Sequence, residues 1–128
     1  MINDGLTLAQ ARAKSAMDEV NTMEGKNVSG FKSYVNALPA TIVMNGFGQA
    51  LAFELSKDDE GHKKLSDALQ NWLCDPKYGV YKNENNLMYA IINGSQDDYI
   101  RAQVEALAYL EWLKKFSKAY LKDDEDDK

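Results

Sequence analysis

Apolar residues recur three and four positions apart along almost the whole chain, and runs that alternate apolar with polar are absent, so the pattern predicts helices and no sheet. Thr7 and Gln10 form a Thr-x-x-Gln capping box that starts a first helix. Its apolar face is Leu6, Ala9, Ala13, Ala16, Met17 and Val20, and it ends before Gly25. Ser29 is placed to cap a short second helix carrying Phe31, Tyr34 and Val35. Pro39 suits the first turn of a helix, which predicts a break near Leu38 and a third helix running to about Ser56. Asp58, Asp59 and Glu60 precede a fourth helix, His62 to Cys74, where their charge complements its N-terminal dipole, and Asp75-Pro76 ends it.

Lys77 to Asn86, with Gly79 and three asparagines, reads as a surface loop. Leu87 to Ile92 forms a short helix ending at Gly94, and Ser95 with Asp98 caps the longest one, about Gln96 to Lys122. The apolar positions of this last helix include Tyr99, Ala102, Ala106, Leu110, Leu113 and Tyr120. The expected fold is therefore all-α: a compact single-domain helical bundle of five to six helices over residues 1–122, followed by a disordered acidic tail, 123–128.

Composition agrees with one ordinary globular domain: 128 residues, 45% hydrophobic and 27% charged. A chain of this size buries roughly two thirds of the surface exposed on unfolding, so its stability calls for no metal or cofactor. The formal charge is -5, but five of the 20 acids are Asp123 to Asp127, with Lys122 and Lys128 flanking them. The remainder carries 13 basic against 15 acidic residues and is nearly neutral, which excludes a strongly basic DNA-coating protein and leaves room for a local basic patch. The single Cys74 cannot form an internal disulfide, no Cys/His spacing resembles a zinc site, and no secretory signal is visible, so a cytoplasmic location is expected. Two glycosylation sequons, at Asn27 and Asn93, are then chance matches. Asn36 to Phe53 has no charge in 18 residues, yet Pro39, Asn45, Gly46, Gly48 and Gln49 make it too polar to span a membrane.

Candidate chemistry is sparse. His62 is the only histidine, with no serine or cysteine tied to it in a nucleophile pattern, and is expected at the surface. The acids of the tail lack the fixed geometry that a metal site needs. Gly46 and Gly48, read as lying inside a helix, suggest close approach of another backbone, because each costs about 0.5 to 1 kcal/mol relative to alanine. Thr41, Asn45 and Gln49, roughly continued by Ser56, form an uncharged polar stripe that is either a solvated bundle surface or a face that docks a partner. Lys14 can pair with Asp18 and Glu111 with Lys115, which leaves Arg12, Arg101, Lys114 and Lys118 without an obvious partner on their own helix. Lys114 and Lys118 share a face that is either solubilising or phosphate-contacting.

Three segments go beyond generic helix. Phe31 to Ala40 (FKSYVNALPA), Asn45 to Phe53 (NGFGQALAF) and Glu105 to Phe116 (EALAYLEWLKKF), opened by Gln10 to Ala13, closely resemble the small subunit of the Cmr complex, the type III-B CRISPR RNA-guided effector. The similarity covers nearly the whole folded body in the family's order; neither the acidic tail nor Lys77 to Asn86 shows a matching pattern. The resemblance implies an all-α, non-catalytic subunit that stacks as several copies beside the crRNA-bearing backbone subunits and helps form the channel for crRNA and target RNA. It makes Arg12, Lys14, Lys32, Arg101, Lys114, Lys115 and Lys118 the candidate RNA-facing set, while the polar stripe of Thr41, Asn45 and Gln49 stands by its own pattern as the candidate partner interface. A near-neutral body binds phosphate weakly alone, so affinity would come from avidity in the assembly. A helical adaptor that touches only protein is the alternative.

Overall fold

The computed structural model describes residues 5–122. Six helices follow one another: α1 (Leu8–Asn21), α2 (Phe31–Asn45), α3 (Phe47–Ser56), α4 (Glu60–Leu73), α5 (Leu87–Asn93) and α6 (Gln96–Tyr120), with no strand among the described residues. The acidic segment 123–128 lies outside them. At 25 residues, α6 is about 37 Å long and forms the axis against which α1 and α2 pack. Ala102, Ala106, Leu110 and Leu113 are buried along it, as their spacing predicts, and the two alanines let neighbouring backbones come close. Tyr109 joins them in the core, parallel to Trp72 with ring centroids 6.0 Å apart, whereas Tyr120 is exposed. None of the helices is long and apolar enough to cross a membrane.

The capping signals hold at both ends of the chain. Gln10 N donates to Thr7 Oγ1 at 3.1 Å while Thr7 N donates to Gln10 Oε1 at 2.9 Å, and Asp98 N donates to Ser95 Oγ at 3.1 Å.

The middle of the chain departs from the sequence reading. No break occurs near Leu38: α2 runs straight through Pro39. An interior proline removes one helical hydrogen bond, but Phe31, Val35, Leu38 and Ile42 form one buried stripe that continues across it and holds the helix together. The turn comes instead at Gly46, whose φ of 88° and ψ of 154° suit a residue without a side chain. The two glycines are thus not inside one helix. Ser29 does not cap α2 either; Gly30, at φ 83°, occupies that position with no side-chain hydrogen bond. In the segment 77–86, Tyr81 is buried and its N–H donates to the Leu73 carbonyl at 2.9 Å, so this loop is packed onto the core.

The start of α3 is completed from outside. Gly46 supplies no side chain to its first amides, and α6 does so: Phe47 N donates to Gln103 Oε1 at 2.9 Å and Gly48 N to Tyr99 Oη at 3.0 Å. The α2–α3 elbow is therefore clamped to α6.

Candidate nucleic-acid and partner surfaces

Four of the seven basic candidates come together. Lys32 and Asn36 from α2 face Lys114, Lys115, Ser117 and Lys118 from α6 across an open groove of about 460 Å³. Lys32 Nζ donates to the Leu121 carbonyl at 3.1 Å, which ties the C-terminal end of α6 to α2. Lys114 and Lys115 share one carboxylate, Glu111, at 3.9 and 3.3 Å, so two positive charges are opposed by one negative. Ser117 is buried and bonds the Leu113 carbonyl. The groove is accordingly a cationic trough with the Asn36 amide on its wall, the Ser117 hydroxyl being spent within its own helix.

The other three stand apart. Lys14 pairs with Asp18 at 3.4 Å on the exposed face of α1. Arg101 pairs with Asp98 at 2.9 Å and sits about 20 Å along α6 from Lys114. Arg12 has little freedom to meet a ligand: its Nε and Nη2 donate to Glu105 at 2.5 and 2.9 Å, and its side chain is only 16% exposed. Its guanidinium pKa is raised, first by the hydrogen bond to Glu105. Asn36 and Ser117 were not singled out from sequence, because each becomes a lining group only once α2 lies beside α6.

A second depression, of about 670 Å³, is lined by Thr41, Met44, Asn45, Gln49 and Phe53. The polar stripe thus survives the elbow at Gly46 and gains an apolar rim of Met44, 80% exposed, and Phe53, 49% exposed. The exposure of Met44 was readable in principle, since it lies off the buried 31, 35, 38, 42 stripe.

His62 is not a surface residue. It is 8% exposed, and its Nδ1 shares a hydrogen bond with Asp59 Oδ1 at 2.5 Å. Its ring stacks on Tyr34 at 3.5 Å, meets Phe53 edge-on at 6.1 Å, and has Nε2 4.0 Å from Glu54. The sequence reading missed this because Tyr34 comes from α2, far along the chain. The cluster clasps α3 to α4 and presents no serine or cysteine nucleophile. Among the described residues no three His, Cys, Asp or Glu side chains are grouped to hold a metal.

Glu54 is strained by its surroundings. Its Oε1 is buried without a hydrogen-bond partner among the described residues, and burial, opposed by His62 and reinforced by Asp59, raises its pKa from 4.5 to about 6. A carboxyl whose folded pKa is raised contributes stability below about pH 4.5 that is lost as pH rises through about 6. A shift of this size amounts to about 2 kcal/mol, which solvent screening at the helix end reduces to about 1 kcal/mol. Glu54→Gln is therefore expected to stabilise the fold by about 1 kcal/mol at pH 8 and to be neutral near pH 4.5. Urea denaturation of both proteins at the two pH values checks it, and equal gains at both would remove the electrostatic explanation.

Comparison with known proteins decides the family. The family profile described as "CRISPR-associated protein (Cas_Cmr5)" matches residues 8–120. The chain belongs to the Cmr5 family. A curated protein of Thermus thermophilus, described as CRISPR system Cmr subunit Cmr5, is 29% identical over 118 residues, covering 91% of this chain and 98% of its own length. The crystal structure of a CRISPR-associated Cmr5 family protein from the same organism superposes with a TM-score of 0.75 at 26% identity, covering 91% of this chain and 99% of that one. The resemblance carried by residues 31–40, 45–53 and 105–116 is thereby met, and all three segments fall inside the matched Cmr5 region. In this Cmr5 family chain they build the elbow and the two grooves.

Proposed function

We propose that the chain is a non-catalytic structural subunit of a type III-B CRISPR interference complex, the Cmr complex, acting in the cytoplasm. It stacks with further copies of itself and against the crRNA-bearing backbone subunits, and helps to line the channel for crRNA and target RNA. Family membership supports the assembly; the lysine groove of Lys32, Lys114, Lys115 and Lys118 is the observation that carries RNA contact. Phosphate contacts position a strand without reading it, so sequence preference comes from pairing with the guide and not from these lysines. Of the wider basic set, Lys14 and Arg101 are exposed and available to a second strand segment, while Arg12 acts in the core. The Thr41, Asn45 and Gln49 groove with its Met44 rim suits a protein neighbour, since interfaces lose charge and keep hydrogen bonding.

The test is the double variant Lys114→Glu/Lys118→Glu in the reconstituted complex. Both positions are on the exposed side of α6, so folding changes by less than about 0.5 kcal/mol. Target-RNA affinity is expected to fall about tenfold, and the slope of log affinity against log salt to become shallower by about one to two, because fewer counterions are released. Wild-type affinity and slope would instead favour the adaptor that touches only protein. Substituting Met44 by Glu in the same reconstitution reads the second groove, where loss of subunit incorporation is expected.

A further inference from the structure

α6 carries a row of three aromatic rings beside the lysines of the trough. Trp112, Phe116 and Tyr120 are four residues apart, so each stands about 6 Å further along the helix than the one before. The rings lean on one another: centroids are 5.5 Å apart and planes tilted by 36° between Trp112 and Phe116, and 6.4 Å and 46° between Phe116 and Tyr120. Trp112 and Phe116 are partly buried and pad the core. Tyr120 has no such duty, since the last buried residue of α6 is Ser117 and Tyr120 is 52% exposed. The fold gains little from a ring there, whereas a partly open ladder of rings is what an unpaired base stacks on. The lysines are near on the same helix surface. At about 100° per residue, the exposed Ala119 lies about 40° around α6 from Lys115 on one side and about 60° from Phe116 on the other. Its methyl group leaves the way from lysine to ring unobstructed. In a single strand each base hangs one sugar away from its phosphate, so a strand whose phosphates meet Lys115 and Lys118 has its bases within reach of Phe116 and Tyr120. A paired base offers its faces only to its neighbours in the stack, so the occupant is single-stranded.

We infer that Trp112, Phe116 and Tyr120 are a base-stacking ladder for unpaired nucleotides of a single-stranded RNA whose phosphates are held by Lys114, Lys115 and Lys118. This rests on the reading of the trough as an RNA contact and adds a second kind of contact to it. Stacking does not depend on the release of counterions, and every base has a face to offer, so the ladder holds a strand without selecting its sequence.

The experiment uses the full chain at about 50 mM salt and two probes of equal charge, a single-stranded RNA of about ten nucleotides and an abasic strand of the same length. Tyr120→Ala is expected to weaken binding of the RNA at least about fivefold and to leave the abasic strand unchanged, while Tyr120→Phe, which keeps the ring, binds both like wild type. The RNA, and not the abasic strand, is expected to quench tryptophan fluorescence. That quenching should vanish in Trp112→Phe, because Trp72, the other tryptophan, is buried. Equal losses on both probes would mean that Tyr120 only shapes the trough, and would overturn the ladder. Unchanged RNA binding by Tyr120→Ala overturns it too and leaves the rings to a protein neighbour, as does RNA that binds without quenching. Failure of the trough reading shows separately: Lys114→Glu/Lys118→Glu would then bind both probes like wild type, while a Tyr120→Ala loss confined to the RNA would still uphold the stacking.

Discussion

Replacing Glu105 by alanine is expected to destabilise the fold by about 3 to 5 kcal/mol. Glu105 stands on α6 and is 11% exposed, and it accepts from Arg12 of α1 twice and from Trp72 Nε1 of α4 at 2.7 Å. Removing it strands a half-buried guanidinium and an indole N–H at the meeting point of three helices, and both lose their acceptor at once. Thermal unfolding should fall by about 10 to 20 °C. The paired change Arg12→Leu/Glu105→Leu should cost much less, because it removes donor charge and acceptor together. A loss below about 1 kcal/mol for the single variant would mean that water replaces the carboxylate and that the network is not closed. The same geometry disqualifies Arg12 as a probe of RNA contact, since changing it alters the fold.

The second large effect comes from a glycine. Gly61→Ala lies in the first turn of α4, where alanine ordinarily gains about 0.5 to 1 kcal/mol over glycine. Here a Cβ would strike the Ser29 carbonyl oxygen and come within 2.8 Å of the Tyr34 ring and 3.1 Å of Phe31 N. Two of these three are backbone atoms at the start of α2, which cannot swing aside as a side-chain end can. The substitution is therefore expected to cost about 2 to 3 kcal/mol. Gly48→Ala is the internal control: its nearest neighbours would be 3.6 Å away, ordinary contact, so it should be neutral or stabilising by up to about 1 kcal/mol. Chemical denaturation of the two variants should thus move in opposite directions, and a stable Gly61→Ala protein would show that α4 does not press on the 29–31 turn as described.

Local signals were legible where local physics decides. Thr7 with Gln10 and Ser95 with Asp98 are each three residues apart, and the helices begin where those pairs put them. Pro39 misleads because its penalty is local while the stripe from Phe31 to Ile42 that overrides it is set by the core. Lys114 and Lys118 could be placed on one face from their spacing. Their neighbour Lys32 could not, because its hydrogen bond at that end of the groove is made to Leu121, 89 residues on. Arg12 shows the same limit in reverse: it looked unpartnered because its carboxylate is 93 residues away. His62 combined a near partner, Asp59, with a distant one, Tyr34, and the distant one buries it.

The clamp on the elbow gives α6 a further property. Tyr99 and Gln103 near its start fix the direction of α3 and so of the Asn45 and Gln49 groove, while Lys114 and Lys118 near its end fix the cationic trough. One helix therefore sets the phase between the two surfaces, and each residue of an α-helix advances that phase by about 100°. A single residue inserted between Gln103 and Lys114 would turn one surface to the flank of the other, whereas seven would return them to within about 20° of register. Length change along this stretch is thus quantised: the helix can lengthen by whole double turns and keep both surfaces in step, and by nothing smaller.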